Sequence, residues 1–177
     1  MKGRNYRLSR GMPFSRREYM GGIPQCKIAR FSTGQASNDY DIKLELTNQV
    51  RGQVRHNAIE AARVAANKKL VLIGESSYFL KVKLYPHIVL KENKMIATAG
   101  ADRLQEGMRH AWGKPTGLAA RVYAGKVMLE VHIMKENLAQ AKDALRTAAS
   151  KLPFTTTIVE SLLKSDTPED IVDDKDR

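Results

Sequence analysis

Between residues 41 and 159 the hydrophobic residues change their spacing several times, and that alternation most constrains the fold. In residues 41–46, Ile42, Leu44 and Leu46 point one way and Lys43 and Glu45 the other, as in a half-buried strand. Residues 53–69 then space Val54, Ala58, Ala61, Ala62 and Ala65 along one side of a helix. This small-residue face allows close packing on a sheet. Arg51, Arg55 and Lys69 fall beside that face, and Arg63 falls on the solvent side. Strand spacing returns in residues 77–84, where Tyr78, Leu80, Val82 and Leu84 oppose Lys81 and Lys83. Pro86 breaks the pattern and residues 87–90 resume it. Residues 118–123 and 126–133 read as two strands joined by a tight turn at Ala124 and Gly125. A second helix is expected over 138–152, with Leu138, Ala141, Leu145, Ala148 and Leu152 on one face. Asn137 and Gln140 stand in capping-box positions and Pro153 stops the helix. Residues 154–159 offer a last strand. The pattern predicts an α+β fold, a two-layer sandwich of mainly antiparallel sheet with two amphipathic helices.

From Met95 to Leu118 the periodicity stops, and Gly100, Gly107, Gly113, Pro115 and Gly117 punctuate the run. A connection this long within one domain is usually functional or disordered. Residues 102–108 are long enough for a turn or two of helix. The segment carries Arg103, Arg109, His110 and Lys114 beside Met108 and Trp112, the single tryptophan. Cations next to a ring and a soft apolar side chain suit contact with RNA backbone and bases together. A hairpin tip without a ligand is the plainer alternative.

A chain of 177 residues is one ordinary domain. Its formal charge of +11 points to an acidic polymer, either nucleic acid or an anionic membrane surface. The charge is concentrated in residues 1–30, where eight basic groups face Glu18 alone. Six of the eight are arginines (Arg4, Arg7, Arg10, Arg16, Arg17 and Arg30), joined by Lys2 and Lys27. Arginine forks onto phosphates and stacks on bases better than lysine does. Gly and Pro interrupt this segment, and Tyr6, Phe14 and Tyr19 are interleaved with its cations. It reads as an irregular basic arm, ordered by whatever it touches; a solvated basic tail is the plainer alternative. Residues 31–164 form the α+β domain, with the long loop at 99–117. Residues 165–177 hold six acidic and two basic groups and read as an acidic, frayed tail.

Several chemistries lack their residues. One cysteine, Cys26, excludes an internal disulfide and a cysteine-based zinc cluster, and suggests a reducing compartment. Gly107 and Gly113 stand one residue too far apart for a phosphate-binding loop, and Pro115 occupies the place of its Ser or Thr. His56 and Glu60 share a side of the first helix but lack a third ligand, so no metal is expected. No carboxylate pair or nucleophile–base set announces catalysis, and no cofactor is expected. No apolar run reaches membrane-spanning length. The basic start lacks the apolar core of a secretory signal, so a cytoplasmic location is expected.

The sequence of residues 99–122, AGADRLQEGMRHAWGKPTGLAARV, closely resembles the long loop of the large-subunit ribosomal protein sixteen family, in its archaeal and eukaryotic branch. AIEAARVAANKKL (58–70), YPHIVLKENKM (85–95) and GIPQCKIARF (22–31) are similar to other blocks of that family. Trp112 stands where the family usually carries Phe, and His110 where it carries a small or basic residue. The acidic tail favours an archaeal-type member. The resemblance implies a hammerhead-type α+β fold bound to large-subunit ribosomal RNA, and not an enzyme. It implies that the arm from Arg4 to Arg30 threads between RNA helices, with Arg55 added from the core helix. It also implies that the loop carrying Arg103, Met108, Arg109, His110, Trp112 and Lys114 reaches toward the acceptor arm of tRNA near the peptidyl transferase centre. Neighbouring ribosomal proteins and assembly factors are the further partners it suggests. Two readings of other classes are a free regulatory RNA- or membrane-binding module and an RNA-acting enzyme. The enzyme would need a concave site with convergent titratable groups.

Overall fold

A computed structural model describes residues 2–9, 11–13, 15–37, 39–95, 108–109 and 111–163. After 3-10 turns at Gly3–Tyr6 and Arg17–Tyr19 the chain forms β1 (Ser32–Gly34), β2 (Ile42–Asn48) and β3 (Gly52–Arg55). Then follow α1 (His56–Leu70), a 3-10 turn (Val71–Ile73), β4 (Tyr78–Val82), β5 (Ile88–Glu92) and β6 (Lys114–Val122). The described chain ends with β7 (Val127–Ile133), a 3-10 turn (Lys135–Asn137), α2 (Leu138–Ala149) and β8 (Thr156–Leu162).

The strands form two sheets, one ordered β1-β4-β7-β2-β8 and the other β3-β6-β5, and each pairing is antiparallel. Alternation in the sequence decides what the larger sheet buries. Leu44 of β2 and Leu80 of β4 both lie opposite Val131 of β7, and all three are fully buried. Ile42, Leu46, Tyr78, Leu129 and Ile133 extend this layer. Each such side chain contributes about 1.5–3 kcal/mol by leaving water. Ala62, Ala66, Leu70, Ala141, Leu145 and Ala148 of the two helices complete the same core. This is the α+β architecture of antiparallel sheet and two helices that the spacing predicts. Among the described residues, no helix is long and apolar enough to cross a membrane.

Several local expectations are corrected. Helix α1 starts at His56, not residue 53, because Gln53 and Val54 pair with Arg121 and Ala120 of β6. Val54 suits either period, and strand pairing claims it. Arg55 therefore ends a strand and lies at the N-cap of the helix. The buried face of α1 is His56, Ile59, Ala62, Arg63, Ala66 and Leu70, while Ala61 is exposed. The alanines run from the exposed side, at Ala61, to the buried face, at Ala62 and Ala66, so they do not set the helix's phase; Ile59 and Leu70 do. Arg63, expected on the solvent side, is only 8% exposed.

Residues 87–90 do not resume the strand before Pro86, since β4 and β5 belong to different sheets. Likewise the turn at Ala124 and Gly125 forms, with Lys126 N–H donating to the Tyr123 carbonyl at 3.1 Å, but β6 and β7 do not pair. The turn carries the chain from one sheet to the other. Asn137 occupies the N-cap of α2 without a side-chain cap bond, so the capping box does not form. A 3-10 turn already leads into α2 and sets its entry. Helix α2 ends at Ala149, three residues early, and β8 starts at Thr156. Lys114–Gly117, expected in the long loop, belong to β6.

Candidate nucleic-acid interface

The basic arm is attached to the domain through its backbone and its neutral side chains. Tyr6 Oη donates to the Lys91 carbonyl at 3.1 Å, and Ser15 Oγ donates to the Val89 carbonyl at 3.0 Å. Gln53 donates its backbone N–H to the Arg7 carbonyl at 2.8 Å and its side-chain amide to the carbonyls of Tyr6 and Leu8. Arg121 Nη1 donates to the Gly11 carbonyl at 2.6 Å. Further along, Lys27 N–H donates to His56 Nδ1 at 3.3 Å, and Ala29 N–H to Glu60 Oε2 at 3.4 Å. The arm thus lies on the smaller sheet and on the start of α1.

The charged side chains take little part in this attachment. Arg4, Arg7, Arg16, Arg17, Lys27 and Arg30 are exposed. An arm bound by carbonyls, hydroxyls and N–H groups leaves these cations exposed. The structure brings Lys27 and Arg55 together at one cleft and Arg7 and Arg55 at a second. Arg30 lies apart from them, beside Thr33 and Glu75.

His56 and Glu60 are the residues whose role the sequence did not reveal. Their four-residue spacing was legible, yet what they hold is the arm. Glu60 also accepts two hydrogen bonds from Arg63, at 2.9 and 2.7 Å. That hydrogen bonding with Arg63 is the main cause holding the Glu60 carboxyl below its ordinary range. Burial, with Lys27 and Arg55 nearby, lowers the pKa of His56. Among the described residues no group of three or more His, Cys, Asp or Glu is placed to hold a metal. Cys26 is half-buried, and its sulfur accepts a long contact from Ile28 N–H at 3.5 Å.

The end of the long loop sits over β5. Lys91 Nζ lies 3.4 Å from the centroid of the Trp112 ring, a cation–π contact. Trp112 as a whole remains 76% exposed and Met108 is 75% exposed. Arg109 and Lys114 are exposed as well, and Lys114 lies opposite Glu92 in the sheet. Gly113 makes the turn into β6 at φ 72°, and a β-carbon there would crowd the Glu92 backbone to 3.0 Å. The expectations for Arg10, Arg103, His110 and the acidic tail lie outside the described residues, as does all but the last residue of the helical turn expected over 102–108.

The family described as ribosomal protein L16p/L10e matches residues 9–159. The chain belongs to the L16p/L10e family of ribosomal proteins. Among its relatives, the large ribosomal subunit protein uL16 of Staphylothermus marinus is 57% identical, covering 87% of this chain and 89% of that protein. The uL16 of Hyperthermus butylicus is 57% identical over 81% of each chain. That of Sulfolobus acidocaldarius is 50% identical, covering 93% of this chain and 95% of that protein. These L16p/L10e relatives are archaeal and are named as ribosomal constituents, which sets aside the RNA-acting enzyme. Arg4 and Arg7 precede the residues matched to the L16p/L10e family, whereas Lys27, Arg55 and the loop residues lie within them.

Proposed function

We propose that this protein is anchored in large-subunit ribosomal RNA by its arm and helps position the acceptor arm of tRNA near the peptidyl transferase centre. Arg4, Arg7, Arg10, Arg16, Arg17, Lys27 and Arg30, with Arg55, neutralise RNA phosphates. Arg103, Met108, Arg109, His110, Trp112 and Lys114 form the loop that meets tRNA. Ribosomal proteins seated nearby are its other partners, and the cytoplasm is its place of work. The observation that carries this reading is the division of labour in the arm. Its carbonyls and neutral groups bind the domain, and its described arginines, Arg4, Arg7, Arg16, Arg17 and Arg30, are exposed. Phosphate contacts of this kind fix a protein's position on RNA without reading sequence.

Replacing Arg10, Arg16 and Arg17 together by Ala tests the anchor. Each lost phosphate contact releases one fewer counterion, so the slope of log affinity for ribosomal RNA against log salt falls by roughly 0.7–0.9 per contact. An unchanged slope removes these three residues from the interface.

A further inference from the structure

The cleft at the N-terminal end of α1 combines features that neither ribosomal membership nor the basic arm requires. His56, the first helical residue, is 4% exposed and lines it. Its Nδ1 accepts the Lys27 N–H, so the neutral ring carries its proton on Nε2. Among the described residues, Lys27 is the hydrogen-bond partner of His56. The Nε2–H therefore faces the cleft without an acceptor. It lies on the side of Gly117, where an added β-carbon would be 3.6 Å away.

The surrounding charges agree. No side chain caps the first turn of α1, and that turn contains no acidic residue. Its N–H groups and the positive end of the helix dipole are thus available to an anion. Lys27, Arg55 and Lys94 line the same cleft, opposed by the carboxylate of Glu92. The cleft encloses about 360 Å³, room for a phosphate and an attached ribose.

We propose that this cleft is a binding site for one phosphate group, taken from the RNA backbone or from solution, with His56 Nε2–H as its neutral donor and Lys27 and Arg55 as its cations. The identity of an RNA occupant rests on the function proposed above; the phosphate chemistry does not.

The test uses the full-length protein labelled with ¹⁵N in its histidine rings. It is titrated with sodium phosphate and, separately, with hexauridylate, against sodium chloride at matched ionic strength. Both or either of the two phosphate probes should shift the His56 Nε2 resonance, and chloride should not. A response to hexauridylate alone marks a phosphodiester site, and a response to inorganic phosphate alone marks a free-ion site. Gly117→Ala places a methyl group at ordinary contact distance over Nε2 and should weaken the responding probe about tenfold, the loss of one good hydrogen bond to a charged group. Lys27→Ala should act in the same direction and leaves the Lys27 N–H in place. A His56 resonance unmoved by both probes, or moved equally by chloride, overturns the proposal, as does unchanged affinity in Gly117→Ala. If ribosomal RNA binds with the expected salt slope while His56 stays still, only this site fails. If phosphate shifts His56 but the RNA slope is absent, the anchoring function fails and the site stands.

Discussion

Phe154 fills the space over Gly52 in which any other residue would carry its β-carbon. A β-carbon at Gly52 would lie 2.0 Å from Phe154 Cζ and 2.8 Å from the Arg7 carbonyl oxygen. The arm, the smaller sheet and the segment after α2 therefore meet at one glycine. Gly52→Ala should destabilise the protein by about 1–3 kcal/mol, the usual penalty for overpacking. Urea unfolding checks this, and Phe154→Leu added to Gly52→Ala should recover part of the loss. An unchanged unfolding midpoint in Gly52→Ala contradicts the contact.

Arg63 and Glu60 form a forked pair whose arginine is nearly buried. Glu60→Gln leaves that cation without its counter-charge and should cost about 1.5–3 kcal/mol, as for hydrogen bonds to charged groups. Replacing both residues by Met should cost less than Glu60→Gln alone, because no orphaned charge remains. The pair also predicts acid sensitivity. The Glu60 carboxyl titrates lower in the folded chain than in the unfolded one. Its contribution is full above the unfolded value and disappears as pH falls through the folded one.

A second pH effect comes from His56, whose folded pKa lies below the ordinary value of 6.5. Below 6.5 the unfolded chain takes up a proton that the folded chain refuses until lower pH. Stability therefore drops as pH falls through this window, and above it the residue contributes no pH dependence. Urea unfolding at pH 7.5 and 5.5 should show a larger acid loss in the wild type than in His56→Gln, which keeps an acceptor for Lys27. The other histidines are common to both proteins and cancel in the comparison. Equal losses contradict the prediction.

Trp112, as the single tryptophan, reports on the loop by itself. Its emission in the free protein should be that of a water-exposed indole, given its 76% exposure. Binding of tRNA to ribosomes carrying this protein as their only source of tryptophan fluorescence should quench it through base stacking. Deleting residues 102–114 should leave folding and ribosomal RNA binding intact while weakening tRNA accommodation. Normal accommodation in the deletion removes the loop from that role.

Much of this architecture is readable from alternation alone. Leu44, Leu80 and the α2 face of Ala141, Leu145 and Ala148 sit where their spacing puts them. The misreadings share a cause: local spacing does not say which distant segment a residue meets. Val54 joins a strand because β6 is beside it. Arg63 turns inward because Thr33 of β1 lies against α1 and accepts from it. Strands β6 and β7 adjoin in sequence yet enter different sheets, which no turn signal distinguishes from a hairpin. For the site, residue type identified the outward cations. The hydrogen bonds holding the arm are mostly to backbone carbonyls, which every residue possesses, so composition could not show where it docks.

Those docking bonds also have an order in time. Tyr6 meets Lys91 across 85 positions of chain, and Gly11 meets Arg121 across 110. At roughly 5–20 residues per second of synthesis, Gly11 precedes its partner by on the order of ten seconds. Throughout that interval the arm has been made but its seat has not. An early-made segment thus waits for its seat, and until then its carbonyls and hydroxyls are bonded to water instead of to the fold.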